Sequence, residues 1–101
     1  MHRQLLSAAT SAGATSAITW PGGGGSYVAN NMGTSGSAAL QMQVAGSTAW
    51  TAVRLADSTG VCAFTTGEVG HLGFGPIPAG WQLRNNSTVA SSTGMNVWIS
   101  Q

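Results

Sequence analysis

Charge is nearly missing from this chain. Of 101 residues only five are ionic: Arg3, Arg54, Arg84, Asp57 and Glu68, with no lysine and a formal net charge of +1. An ordinary soluble domain carries about 25% charged residues. So sparse a set excludes a basic stripe for nucleic acid, and it leaves no acidic face for a basic partner. Cys62 is the only cysteine, which rules out an internal disulfide. One Cys and two His, His2 and His71, also fall short of a four-ligand Cys/His zinc site, so neither metal nor cofactor is expected. No apolar run reaches the roughly 18 residues a membrane helix needs, so no membrane partner is expected. The first nine residues faintly imitate a secretory signal, but two leucines diluted by Ser and Ala are no apolar centre. Synthesis in the cytosol is the expectation.

Small residues fill the space instead. Gly, Ala, Ser, Thr and Asn occupy 58 positions, and 15 of the hydrophobic residues are alanine. Low net charge and four tryptophans argue for a folded chain rather than a disordered one. At this size the core is thin, and such domains lean on staples or on assembly. With no disulfide or metal to serve, assembly with other copies or partners is the expected stabiliser. The low charge agrees, because a free monomer uses charge for colloidal repulsion.

Period-2 alternation is the dominant pattern. Leu40, Met42 and Val44 fall on one face, Gln41 and Gln43 on the other; Trp81 and Leu83 oppose Gln82 and Arg84; Met95, Val97 and Ile99 oppose Asn96 and Trp98. Strands are expected over 14–20, 26–30, 38–44, 50–55, 61–65, 69–74, 81–85 and 95–99. Between them lie a glycine run at 22–25, a loop at 30–37, turns at 45–48 and 57–60, a proline-fixed loop at 75–80 and a Ser/Thr-rich loop at 86–94. Residues 1–13 read as a flexible N-terminal arm and 14–101 as one all-β domain, an antiparallel β-sandwich or jelly-roll-like unit. Nothing alternates strand with helix, so a parallel nucleotide-binding sheet is excluded.

The chemistry is thin. The glycine run lacks the lysine and following helix of a phosphate loop, and reads as a hinge or wide hairpin. Glu68 and His71 point to opposite faces of a strand, and a metal would need Asp57 or His2 as a third ligand. Asp57 with Glu68 has no support as a glycosidase pair beyond being the only two acids. Cys62 between Val61 and Ala63 reads as a core residue, and no serine nucleophile elbow occurs. No enzyme is expected. The informative residues are Trp20, Trp50, Trp81 and Trp98, too many rings for so thin an interior, with Trp98 opposite Val97 and Ile99. Surface tryptophans are frequent hot spots, and interfaces are enriched in arginine. Arg54 and Arg84 are placed to stack on rings or to pair with Asp57 and Glu68. The candidate partner-binding residues are therefore Trp20, Trp98, Arg54 and Arg84, with Leu5 and Leu6 on the arm.

The succession Trp20-Pro21-Gly22-Gly23-Gly24-Gly25-Ser26-Tyr27-Val28-Ala29, Ala39-Leu40-Gln41-Met42-Gln43-Val44, Trp50-Thr51-Ala52-Val53, Pro78-Ala79-Gly80-Trp81-Gln82-Leu83-Arg84 and Asn96-Val97-Trp98-Ile99 resembles the small capsid decoration (cement) proteins of tailed phages. The likeness spans about residues 18–100. It departs from them at 85–94, rich in Asn and Ser rather than Gly and Pro, and at 46–48, where Gly-Ser-Thr replaces Asp-Gly. The resemblance implies a structural virion protein on the capsid exterior, made in the host cytoplasm. It implies a homo-oligomer, a trimer, that contacts the major capsid protein and cements capsomer junctions. The alternative is a tail, collar or fibre-tip module that binds host glycans.

Overall fold

The computed structural model describes residues 1–65, 68–89 and 93–101. Among them the chain is all-β, with antiparallel pairing throughout and no helix. Sheet A runs β1 (His2–Ala9), β10 (Met95–Ser100), β4 (Gly23–Asn30), β8 (Gly70–Ile77). Sheet B is centred on β9 (Gln82–Ser87) and β5 (Ala38–Gln43). The short strands β2 (Gly13–Ala14) and β3 (Ile18–Thr19) lie along β9, and β6 (Thr51–Ala52) and β7 (Ala63–Phe64) along β5. The chain changes sheets between β1 and β2, β3 and β4, β4 and β5, β7 and β8, β8 and β9, and β9 and β10, so most connections span the sandwich.

Alternation decides what lies between the sheets. Met95, Val97 and Ile99 of β10, Leu83 of β9, Leu40 of β5 and Tyr27 and Ala29 of β4 are all buried. Trp20, Phe64, Phe74 and Ile77 belong to the same core, with Ile18, Met32, Ala38, Val53 and Cys62. One polar path runs through it. The Tyr27 hydroxyl of sheet A donates to Asn85 Oδ1 of sheet B. Asn85 Nδ2 donates to Ser87 Oγ at 3.0 Å, and Ser87 Oγ reaches Met95 Sδ at 3.6 Å. No buried side-chain polar atom among the described residues is left without a partner, as native interiors require.

The glycine run is neither hinge nor hairpin: three of its members begin β4. A Cβ on Gly25 would stand 2.5 Å from the Ser100 carbonyl oxygen, 2.7 Å from Phe74 Cζ and 2.9 Å from Trp20 Cη2. The Trp20 and Phe74 rings, 5.4 Å apart and tilted, fill that space, and Trp20 Nε1 donates to the Gly23 carbonyl at 2.9 Å. Only a bare backbone lets an indole settle there.

The arm expected over 1–13 is also corrected. His2–Ala9 is an edge strand, paired with β10 from His2↔Ser100 to Ala9↔Met95. Leu5 and Leu6 adjoin in sequence yet both pack against the core, because register breaks between Gln4 and Leu6 upset strict alternation. The strand expected over 14–20 divides into β2 and β3, both on β9. The proline loop expected at 75–80 begins inside β8, where Pro76 sits beside a register break, and such edge positions tolerate a missing N–H. Asn86 and Ser87, expected in a loop, end β9. Residues 66 and 67 and 90–92, part of the stretches read as a glycine interruption and a Ser/Thr loop, lie outside the described residues.

Residues 53–62 leave sheet B as a hairpin, with Arg54 bridged to Val61 and Leu55 to Phe74 of sheet A. Ala56 N–H donates to the Gly73 carbonyl at 3.0 Å. One flank of the sandwich is thus stitched shut.

Two substitutions test this packing by urea unfolding. Gly25→Ala is expected to cost about 3 kcal/mol, whereas Gly73→Ala, whose Cβ would meet nothing closer than 4.0 Å, should stay within about 0.5 kcal/mol of the parent. Tyr27→Phe strands Asn85 Oδ1 in the core and should cost about 1–3 kcal/mol.

Candidate functional site

Parity places the tryptophans. Trp20 faces inward and is wholly buried, so the expectation that it meets a partner is corrected: it is a core residue. Trp81, on the inward side at the start of β9, is half-buried and packs against the core. It borders an open groove of about 480 Å3, whose walls include Met42, Val53, Leu55, Ile77 and Pro78. Trp50 and Trp98 lie on the two outer faces.

On the outer face of sheet A, register aligns Gln4, Trp98, Val28 and His71 across all four strands. The neighbouring row holds His2, Ser100 and Ser26, with His2 Nδ1 hydrogen-bonded to Ser100 Oγ. On the other side Asn96 Nδ2 donates to Asn30 Oδ1 at 3.0 Å. None of these residues is Asp, Glu, Lys or Arg. A half-exposed indole beside an aliphatic side chain therefore sits in a neutral polar frame.

On the outer face of sheet B, the Arg84 guanidinium lies 4.2 Å from the centre of the Trp50 ring. Its Nε donates to Gln41 Oε1 at 2.8 Å. Arg84 lies three residues after Trp81, but the strand sends the two side chains to opposite faces, and Trp50 reaches Arg84 from across the sheet. The adjacent row is Thr19, Gln82 and Gln43, with Gln82 Nε2 donating to Thr19 Oγ1 at 3.1 Å. Gln41, Gln43 and Gln82 belong to this face as much as Arg84 does. Their alternation was plain in the sequence, but amides on a solvent face carry no functional signal until a fixed charge stands among them.

The remaining candidates separate. Arg54 is exposed and its Nη1 donates to the Thr59 carbonyl, tying the hairpin it belongs to. Leu5 and Leu6 are half-buried on β1. Glu68 does not meet His71. Its Oε1 accepts from the Thr65 N–H at 2.9 Å and the Thr65 hydroxyl at 2.8 Å, and these bonds hold its carboxyl below the usual range. His71 instead borders, with Asp57 and Leu72, a shallow depression of about 390 Å3. Among the described residues no three metal-ligating side chains come together. Cys62 is buried, and burial pushes its thiol up to about 11. Neither a family model nor a curated protein matches the chain.

The buried acids set an alkaline limit. Burial raises the Tyr27 hydroxyl well above the ordinary phenol range, as it raises Cys62. Below about pH 9 both groups stay protonated folded or unfolded, and they make stability independent of pH. Above it the unfolded chain releases protons that the native state retains. The urea midpoint should therefore hold flat from pH 7 to 8.5 and fall as pH rises from about 9 through 11. Cys62→Ala should make that fall shallower, leaving the part due to Tyr27.

Proposed function

We propose that the protein is a structural virion module, a capsid decoration protein that binds the outer capsid surface as a homo-oligomer, a trimer, and cements capsomer junctions. One observation carries this reading: the outer face of sheet A, where Trp98 and Val28 stand together among Asn, Gln, Ser and His with no ionic side chain in the paired rows, Asp57 lying beyond His71 at the β8 edge. Depletion of charge around an aromatic anchor is the composition of an interface centre. The interleaved strand order supports reading the sandwich as jelly-roll-like, a shape that turns broad flat faces outward. Exposed Val69 and Val89 (59% and 45% accessible) and a surface with five charged groups suit a subunit covered by neighbours. The mechanism is passive. Each copy adds apolar contact, and several copies in one oligomer multiply weak contacts.

Leu5 and Leu6 pack partly against the protein's own core on β1, so the weight of this contact falls on Trp98 and Val28. The experiment is co-sedimentation with tailed-phage capsids assembled from their major capsid protein, together with native mass measurement. A trimer that sediments with capsids, and a Trp98→Asn variant that stays folded but sediments at least about tenfold less, is the expected result. A monomer that ignores capsids, or full occupancy by the Trp98 variant, would overturn the reading.

A further inference from the structure

The outer face of sheet B has a different chemistry. Among the described residues Arg84 is the one cation held in place from two sides, by the Trp50 ring and by Gln41. The Nε–H goes to Gln41, so the four N–H donors on its two Nη groups have no protein acceptor among the described residues. No carboxylate neutralises it. The chain has two acidic side chains; Glu68 is engaged by Thr65, and Asp57 lies beside His71 and Leu72 near β8. A guanidinium flattened on an indole is orientated and weakly hydrated, which is the state that best receives a carboxylate through two parallel hydrogen bonds.

The surroundings select the ligand. One strand step away, the Gln43 amide has no partner among the described residues, and Gln82 keeps its carbonyl oxygen and one N–H free of its bond to Thr19. Asn86 stands one step to the other side, opposite Ala39. Side-chain amides both donate and accept, as vicinal hydroxyls require. Neighbouring rows are about 7 Å apart along a strand and about 5 Å across strands, so the amides flank the guanidinium at the width of a sugar ring. The intervening positions are the small alanines 39, 52 and 63, of which only Ala52 borders the groove beside Trp81, and methyl groups are poor anchors for a protein partner. A polyanion such as nucleic acid would need several cations, and this face has one.

We propose that the outer face of sheet B binds an acidic saccharide, its uronate carboxylate on the Arg84 guanidinium and its hydroxyls on the amides of Gln43 and Gln82. The site does not depend on the capsid reading, which rests on the opposite face. Titration of the full-length protein with oligogalacturonate, followed by tryptophan fluorescence and calorimetry, tests it. Saturable binding is expected, weakened at least about tenfold in Arg84→Gln and comparably in Arg84→Lys, because an ammonium neither forks nor stacks. Gln43→Ala, which removes no side-chain hydrogen bond among the described residues, should weaken it by a smaller factor at nearly unchanged thermal stability. Trp98→Asn should bind the sugar normally. Equal binding of neutral maltohexaose, stronger binding of poly-L-glutamate, unchanged affinity in a folded Arg84→Gln, or no binding of oligogalacturonate would each overturn the assignment.

Discussion

The hydrogen bond from Tyr27 to Asn85 joins the two sheets through the core, backed by the weaker contact of Ser87 with Met95 Sδ, and both surfaces depend on it. A buried amide without a partner costs more than most single apolar contacts return, so β4 must turn Tyr27 inward and β9 must turn Asn85 inward. Parity then leaves no choice elsewhere. If Tyr27 faces in, Val28 faces out, and register with β10 brings Trp98 beside it. If Asn85 faces in, Arg84 and Asn86 face out, and register with β5 sets Gln41 against Arg84. A slip of one residue in either strand would bury an arginine or expose a tyrosine. The apolar strip on one side and the amide grid on the other are two consequences of one interior bond.

That logic explains which parts of the fold were legible in the sequence. Strands β5, β9 and β10 alternate large apolar with polar residues, and their faces read directly. Strand β1 was hidden because Leu5 and Leu6 adjoin across a register break, and a bulge erases the period of two that marks a strand. The glycine run was hidden for the opposite reason. Residues without side chains show no alternation, and what makes Gly25 a strand residue is an indole delivered from Trp20. Pro76 signalled a loop, yet it lies on β8 at a register break where a donor is dispensable. Of the candidate contact residues, Trp98 and Arg84 were readable from parity alone. Trp20 was not, because its burial depends on the space above a glycine five residues away. The partnership of Arg84 with Trp50 joins residues 34 apart in the chain, and only the packing of β6 and β9 about β5 creates it.

Scarcity of charge also acquires a structural sense. With no lysine and two acidic side chains, hydration of the surface rests on hydroxyls and amides, and stability rests on close packing of small residues. Such a surface costs little to cover, since a neutral amide loses less hydration than an ion when a partner seals it off. The one guanidinium kept in place on a sheet face is then conspicuous. Elsewhere Arg54 serves its own hairpin, while Arg84 is orientated by a ring and an amide that spare most of its donors.

The two outer faces divide along the same line. A sandwich has opposed surfaces, so a subunit seated through the Trp98 and Val28 strip presents Trp50, Arg84 and the glutamines away from whatever it sits on. An apolar strip suits a permanent contact, because its free energy grows with area removed from water and is indifferent to salt. A lone stacked guanidinium among amides suits a reversible one, specific in geometry and weak as a single copy. Oligomerisation would leave the first unchanged and multiply the second, since several identical sites on one particle engage a repeating polymer together. The asymmetry between the faces follows from the interior, where one tyrosine and one asparagine fix which residues each sheet turns outward.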